Sequence, residues 1–176
     1  MPNDRPWFFD SVLFVPAMKG LTRSHVVLYR VTGGRLGGRF RIGSAFPRGV
    51  PMCLLTTRGR KSGRPRTAPL IYMRDGERVV LVASRGGTQR HPQWYLNLRS
   101  EPRVMVQAGR RRQVMVAREA EGDERAELWG RLVAYYPEYG LYQTWTDRDI
   151  PVVVCERSAV GDRRGAPDGS ARRGHG

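Results

Sequence analysis

Within this 176-residue chain, the residues best suited to chemistry are packed into one short stretch. From Arg58 to Arg66 it reads Arg-Gly-Arg-Lys-Ser-Gly-Arg-Pro-Arg, which places five cations and two glycines between two apolar, strand-like runs. That composition suits an anion. Glycines let backbone N–H groups converge on phosphate oxygens, guanidinium forks bind such oxygens in pairs, and Lys61 adds a compact point charge. A solvated hairpin tip could share the same local composition, so the surrounding elements must decide between the two. The turn is not a Walker loop, because Leu54 stands where that motif's first glycine belongs, and ATPase chemistry is disfavoured. Gly33-Gly34-Arg35-Leu36-Gly37-Gly38 does not supply a dinucleotide fingerprint either, since position 35 is Arg and no strand precedes it. His25, His91 and His175 are scattered, while Cys53 and Cys155 each sit inside an apolar run. We therefore expect no metal, no disulfide and a reducing, cytoplasmic setting.

The elements that hold the turn read as strand after strand. Val50–Thr57, Thr67–Met73 and Arg78–Ala83 are short apolar runs, the last two joined by Asp75-Gly76, a tight-hairpin signal. His91–Arg99 reads as a short helix opened by Pro92; Pro102–Gln107 and Gln113–Ala117 read as strands turned at Gly109. Gly122–Tyr136 is the most helix-like stretch, with Asp123 and Glu124 in its first turn and Leu128, Trp129, Leu132, Val133 and Tyr136 at helical period. Ile150–Cys155 is a continuous apolar strand. Six short antiparallel strands with one substantial helix before the last predict a mainly β (α+β) fold, a closed or split β-barrel with flanking helices. We expect residues 1–38 to form an N-terminal helical segment with a glycine-rich linker, 39–157 the barrel domain, and 158–176 a disordered basic tail.

Net charge is +15, and removing the five arginines and two aspartates of Arg157–Gly176 leaves most of it on the body. Such a body attracts nucleic acid, anionic lipid or a polyanionic small ligand. Aromatic residues do not interleave with Arg58–Arg66 or Arg110–Arg112 as base-stacking platforms would, so a nucleic-acid partner is not expected. Trp7–Pro16 is apolar but interrupted by Asp10, too short and punctuated to span a bilayer. It reads either as an amphipathic segment on a membrane surface or as a helix packed on its own domain or a partner. Sheet edges and this stripe make a homodimer a second expectation, and a monomer at the inner face of the membrane a third.

Taken in order, the motifs resemble a known family. The sequence Leu54-Leu55-Thr56-Thr57 leading into Arg58–Arg66 is followed by Pro69-Leu70, then Val82-Ala83-Ser84-Arg85-Gly86-Gly87, then His91-Pro92-Gln93-Trp94-Tyr95-Leu96-Asn97-Leu98. Tyr135-Tyr136-Pro137-Glu138-Tyr139, Trp145-Thr146-Asp147-Arg148 and Ile150–Glu156 complete the series. From about Gly37 to Glu156 this order is similar to the deazaflavin-dependent nitroreductases, and several motifs in sequence are far more specific than one. The resemblance implies a split barrel binding coenzyme F420, an 8-hydroxy-5-deazaflavin with a phosphate and an oligoglutamate tail. It also implies hydride transfer from the reduced cofactor to a quinone, nitroaromatic or similar conjugated acceptor.

By the same resemblance, Arg60, Lys61, Ser62 and Arg66 would hold the phosphate, with Thr67, Ala68, Pro69, Leu70 and Ile71 continuing the binding stretch. Val82, Ala83, Ser84 and Arg85 would line the ring system, Gln93, Trp94, Tyr95, Leu96 and Asn97 would close the channel, and Tyr139 would flank the ring. Ser84, Tyr136, Tyr139 and Tyr142 are the catalytic candidates, since a hydroxyl can stabilise charge developing on the acceptor oxygen and supply its proton. Each has a structural reading too: Tyr136 continues a helix stripe, Ser84 ends a strand, and Tyr139 and Tyr142 could be packing aromatics. Where nitro-activating members carry tyrosine after Pro-Leu, this chain has Ile71, with Tyr72 on the opposite strand face. That departure bears on nitroimidazole activation more than on cofactor binding. A non-catalytic F420, flavin or haem carrier is the alternative, and a nucleic-acid-binding domain a more distant one. With Lys19 and Lys61 the only lysines, the arginine bias fits GC-rich coding of the actinobacterial kind.

Overall fold

A computed structural model of the chain describes residues 14–40 and 49–157, with side chains from residue 22. The aromatic stretch before residue 14 and the tail from residue 158 lie outside the described residues. Helix α1 (Phe14–Thr32) is followed by β1 (Arg39–Phe40), β2 (Val50–Arg58), β3 (Pro65–Asp75) and β4 (Arg78–Val82). Helix α2 (Gln93–Ser100), β5 (Arg103–Ala108), β6 (Arg111–Glu119), α3 (Gly122–Tyr135), α4 (Glu138–Thr144) and β7 (Val152–Arg157) complete the order.

Six of the strands close on themselves. The sheet runs β2-β3-β4-β7-β6-β5, and β5 returns to β2 with Leu55 opposite Val106, so the barrel has no free edge along that seam. Every pairing is antiparallel, and Asp75-Gly76 makes the β3–β4 turn with Gly76 at φ 59°. The split-barrel expectation holds. Two elements were not legible from periodicity. The short strand β1 pairs with β2 outside the ring, and α4 follows α3 directly, so two helices rather than one precede the last strand.

Strand alternation divides the interior into two apolar clusters. Along β4, Val79, Leu81 and Ala83 point into the barrel with Cys53, Leu55, Val106, Met115 and Cys155, and α2 plugs that space with Trp94, Tyr95 and Leu98. Val80 and Val82 point the other way, under Leu128 and Leu132 of α3 and Tyr136 and Tyr139 beyond it. The β4 chain thus serves a barrel core on one face and a helix-covered face on the other.

Helix α1 is docked against the barrel through Tyr29, with Val26 beside it on Leu54 and Arg30 Nη2 donating to Thr67 Oγ1 at 3.0 Å. Tyr29 is only 1% exposed; its hydroxyl donates to Met52 O at 2.9 Å and accepts from the Gly109 N–H at 2.8 Å. The glycine-rich turn makes this approach possible, since a Cβ at Gly34 (φ 79°) would come within 3.1 Å of the Tyr29 ring. The opposite face of α1 leaves Val27 and Val31 at 61% and 81% exposure.

Candidate functional site: a basic cavity opening into an aromatic one

The β2–β3 turn is built to present its cations. Gly59 N–H donates to Arg64 O at 2.9 Å, and Ser62 and Gly63 N–H groups return to Gly59 O. A Cβ at Gly59 would meet Ser62 Oγ at 2.9 Å, which explains glycine there. Helix α2 pins this turn from the side. Asn97, 5% exposed, accepts from Arg60 N–H at 3.2 Å through Oδ1 and donates to Thr57 Oγ1 at 3.1 Å through Nδ2. Arg60 Nη1 donates to Gln93 Oε1 at 2.8 Å. Between turn and helix lies a cavity of about 500 Å³ lined by Arg60, Lys61, Ser62, Arg66, Thr67 and Asn97, among others. No acidic side chain lines it among the described residues, so an entering anion meets three uncompensated cations.

A second cavity, of about 540 Å³, adjoins the first and shares Ala68 and Trp94 with it. Its floor is Pro69, Leu70, Ile71 and Val82; Ser84 and Arg85 stand at the end of β4, and Tyr136, Tyr139 and Tyr142 form one wall. These three tyrosines pack edge to face, with ring centroids 4.8 Å apart for Tyr136 and Tyr139 and 6.4 Å for Tyr139 and Tyr142. Burial, then the hydrogen bond to Tyr142, pushes the Tyr136 hydroxyl well above the ordinary phenol range. Burial does the same for Tyr139. Both therefore remain neutral hydrogen-bond donors at any physiological pH. Among the described residues no carboxylate lines this cavity either. Together the pair suits an elongated ligand with an anionic end and a flat apolar end.

Most of the residues singled out from the sequence meet here. Arg60, Lys61, Ser62, Arg66, Thr67, Gln93 and Asn97 line the basic cavity. Pro69, Leu70, Ile71, Val82, Ser84, Arg85, Tyr136, Tyr139 and Tyr142 line the aromatic one, and Ala68 and Trp94 line both. Three do not line either cavity. Ala83 faces the barrel core between Val82 and Ser84, as strand alternation requires. Tyr95 and Leu96 turn away on α2; the Tyr95 hydroxyl donates to Glu119 at 2.6 Å, and burial, then this hydrogen bond, pushes its pKa up to about 12. Tyr72 packs with the barrel cluster while Ile71 lines the cavity, as alternation predicts.

Sequence reasoning missed the contribution of α1. Thr22 and His25 line the aromatic cavity, with Phe40 of β1 and Met52 of β2 beside them. His25 Nε2 lies 2.7 Å from Gly37 O; a carbonyl only accepts, so this nitrogen carries the proton. Helical phase could have placed His25 with Tyr29 on one face, four residues apart, but nothing local says which barrel wall that face meets.

A split barrel with a basic cavity beside an aromatic one, neither lined by a described carboxylate, has the shape and polarity for a flat molecule with a negatively charged tail. Residues 21–157 match the family model described as F420H(2)-dependent quinone reductase, and the chain belongs to that family. It is 39% identical over 140 residues to an F420H(2)-dependent quinone reductase of Mycobacterium tuberculosis, covering 78% of this chain and 90% of that protein. Among solved structures, an F420-H2 dependent reductase (FDR-A) is 45% identical with a TM-score of 0.57, covering 60% of this chain and 94% of its own. Another, described as a domain-swapped dimer, is 37% identical with a TM-score of 0.59, covering 80% of this chain and 99% of its own.

Proposed function

We propose that this chain is an F420H2-dependent quinone reductase whose two joined cavities hold the cofactor end to end. The observation that carries this reading is the split in polarity. The basic cavity suits the phosphate and oligoglutamate, and the adjoining aromatic one suits the ring system and a stacked acceptor. The donor set fits the group. Arg60, Lys61 and Arg66 supply charge, and the Ser62 and Thr67 hydroxyls supply donors at the tail end. Pro69, Leu70, Ile71, Val82 and Trp94 supply apolar contact at the ring end. When bound, the reduced deazaflavin supplies hydride rather than single electrons, because carbon replaces the flavin's N5.

The protein's share is to bind, orient and exclude water. Ser84 and the tyrosine wall bring hydroxyls to the acceptor end, where negative charge develops on the reduced oxygen. Neutral phenols held by burial donate hydrogen bonds there without themselves ionising. Ile71 on the cavity wall stands where the nitro-activating members that this chain resembles carry tyrosine, so nitroimidazoles are expected to be poorer acceptors than quinones. Titration with F420, FMN and haem tests the cofactor assignment through ligand fluorescence or absorbance. Adding a menaquinone analogue to the F420H2 complex tests turnover: F420H2 oxidation at micromolar quinone supports the reading, and tight binding without turnover favours a carrier.

Two features of placement belong to the same reading. Among the described residues no helix is long and apolar enough to cross a membrane, while Val27, Leu28 and Val31 give α1 an exposed apolar stripe suited to peripheral contact with a bilayer. Co-sedimentation with anionic liposomes, with and without residues 1–34, checks this. Homodimerisation, suggested by the domain-swapped relative, is checked by light scattering.

A further inference from the structure

The loop leaving β4 holds one side-chain-bearing residue in a conformation that it does not favour. Arg85 has φ 49°, and Gly86 and Gly87 follow at 61° and 70°. Three successive residues thus have positive φ, which suits the two glycines but is uncommon for an arginine and needs enforcing. Bonds within the loop are few: Gly87 N–H donates to Ser84 O at 3.1 Å, Thr88 Oγ1 donates to Arg90 O at 3.0 Å, and Arg85 Nη1 reaches His91 O only at 3.5 Å.

Enforcement comes from the segment between α4 and β7. Arg148 donates through Nη2 to Ala83 O at 3.1 Å and Ser84 O at 2.8 Å, and through Nε to Thr88 O at 2.9 Å. Its Nη1 lies 3.3 Å from His91 Nδ1, which must accept because a guanidinium only donates. Beside it, Thr146 Oγ1 donates to Gln89 Oε1 at 2.9 Å and Gln89 Nε2 to Asp147 Oδ2 at 3.1 Å. The loop also runs so close to α4 that a Cβ at Gly87 would lie 2.8 Å from Tyr142 O. Arg148 lines neither cavity and pairs with no described carboxylate. A half-buried cation whose fork is directed at three carbonyls of one loop is an expensive way to add stability and an effective way to fix geometry.

We propose that Arg148 is a positioning residue for the ring end of the site, fixing the loop so that Ser84 and Arg85 form the cavity wall. The identity of the ligand rests on the function proposed above; the loop restraint does not.

The test compares wild type with R148Q, R148K, S84A/R85A and the triple variant R148Q/S84A/R85A. F420 affinity is read by fluorescence titration, global stability by urea, and loop order by amide hydrogen exchange on ligand-free protein. R148Q is expected to weaken F420 binding about tenfold. R148K, which keeps the charge but loses the fork, is expected to do nearly the same. Exchange should quicken over residues 84–88 while the β2–β3 hairpin keeps its protection. In the S84A/R85A background, R148Q should change affinity less than about twofold, since its effect runs through those two residues. Unchanged affinity in R148Q, a full penalty in the triple variant, or faster exchange throughout the barrel would each overturn the proposal. Should R148Q not fold, R148K carries the same comparison. Wild-type protein that failed to bind F420 would refute the ligand assignment, while the ligand-free exchange experiment would still uphold or refute the restraint.

Discussion

The two turns that bracket β3 are both rich in arginine, and they do opposite things with it. At the β3–β4 end, Arg78 pairs with Asp75 and with Glu124 at 3.0 Å, Arg118 with Glu124 at 2.5 Å and Glu156 at 2.7 Å, and Arg131 with Asp75 at 2.9 Å. Carboxylates there are matched by cations, and the network ties α3 to the sheet. At the β2–β3 end, Arg60, Lys61, Arg64 and Arg66 form no ion pair with any described acidic residue. Their hydrogen-bonding partners, where present, are neutral: Gln93 and Asn97 hold Arg60 in place without cancelling its charge. Arginine alone therefore does not mark a binding site; under the proposed function, arginine held by amides and left without carboxylates does. The first turn maintains the fold, and the second keeps its field for a ligand.

That contrast can be broken from either side. The largest effect is expected at the β2–β3 end, where R60A/K61A should lower F420 affinity by at least about 100-fold through loss of two charge-assisted contacts. Fluorescence titration reads this, and urea unfolding should scarcely change. R118A should give the reverse, a lower unfolding midpoint with F420 affinity within about twofold. If R118A weakens binding as much as R60A/K61A does, net charge rather than local geometry governs the site.

Next in size is Y29F. Losing that hydroxyl leaves the Gly109 N–H and Met52 carbonyl without their partner, and about 1–3 kcal/mol of stability should go with it in urea unfolding. The ring-end cavity shares α1 through Thr22 and His25, so acceptor KM should rise, while the basic end should feel the change only through Arg30, which donates to Thr67 Oγ1. A third change, I71Y, sharpens the acceptor assignment. Placing a phenol on the cavity wall should raise nitroimidazole turnover by about tenfold while leaving menaquinone-analogue turnover within about threefold, as followed by F420H2 oxidation.

The smallest effect concerns acid stability. Hydrogen bonds from Arg131 and then Arg78 hold the Asp75 carboxyl below the ordinary carboxylate range. Its folded pKa lies below its unfolded one, so its contribution is present above about pH 4 and lost as pH falls through the folded value. D75N should lower the melting midpoint by about 2–4 °C at pH 7 and flatten the acid limb of the stability curve. Partial exposure of the arginines keeps this modest, and added salt should shrink it further.

How much of this could be read from the chain depends on the range of the interaction. Strand order along β2, β3 and β4, the Asp75-Gly76 turn and helix α3 are local patterns of period and turn chemistry, and they stand where the sequence puts them. The cationic turn was legible for the same reason. Helix α4 was not, because Glu138–Thr144 is a single short element without a full apolar repeat. His25 and Thr22 were not, because their place in the site depends on how α1 docks through Tyr29, a contact between residues far apart in sequence. Ala83, Tyr95 and Leu96 show the converse. A motif marks a stretch of chain, but alternation on a strand and phase on a helix decide which of its residues reach the cavity.

The central claim is that the basic turn grips the anionic tail while the aromatic cavity holds the ring. Paired titrations of the wild-type chain test it most directly, one with intact F420 and one with the 8-hydroxy-5-deazaflavin ring stripped of phosphate and glutamates. Intact F420 should bind at micromolar concentration or tighter, the stripped ring at least about 100-fold more weakly, and the gap should narrow as salt is raised. Equal affinity for the two would contradict the account.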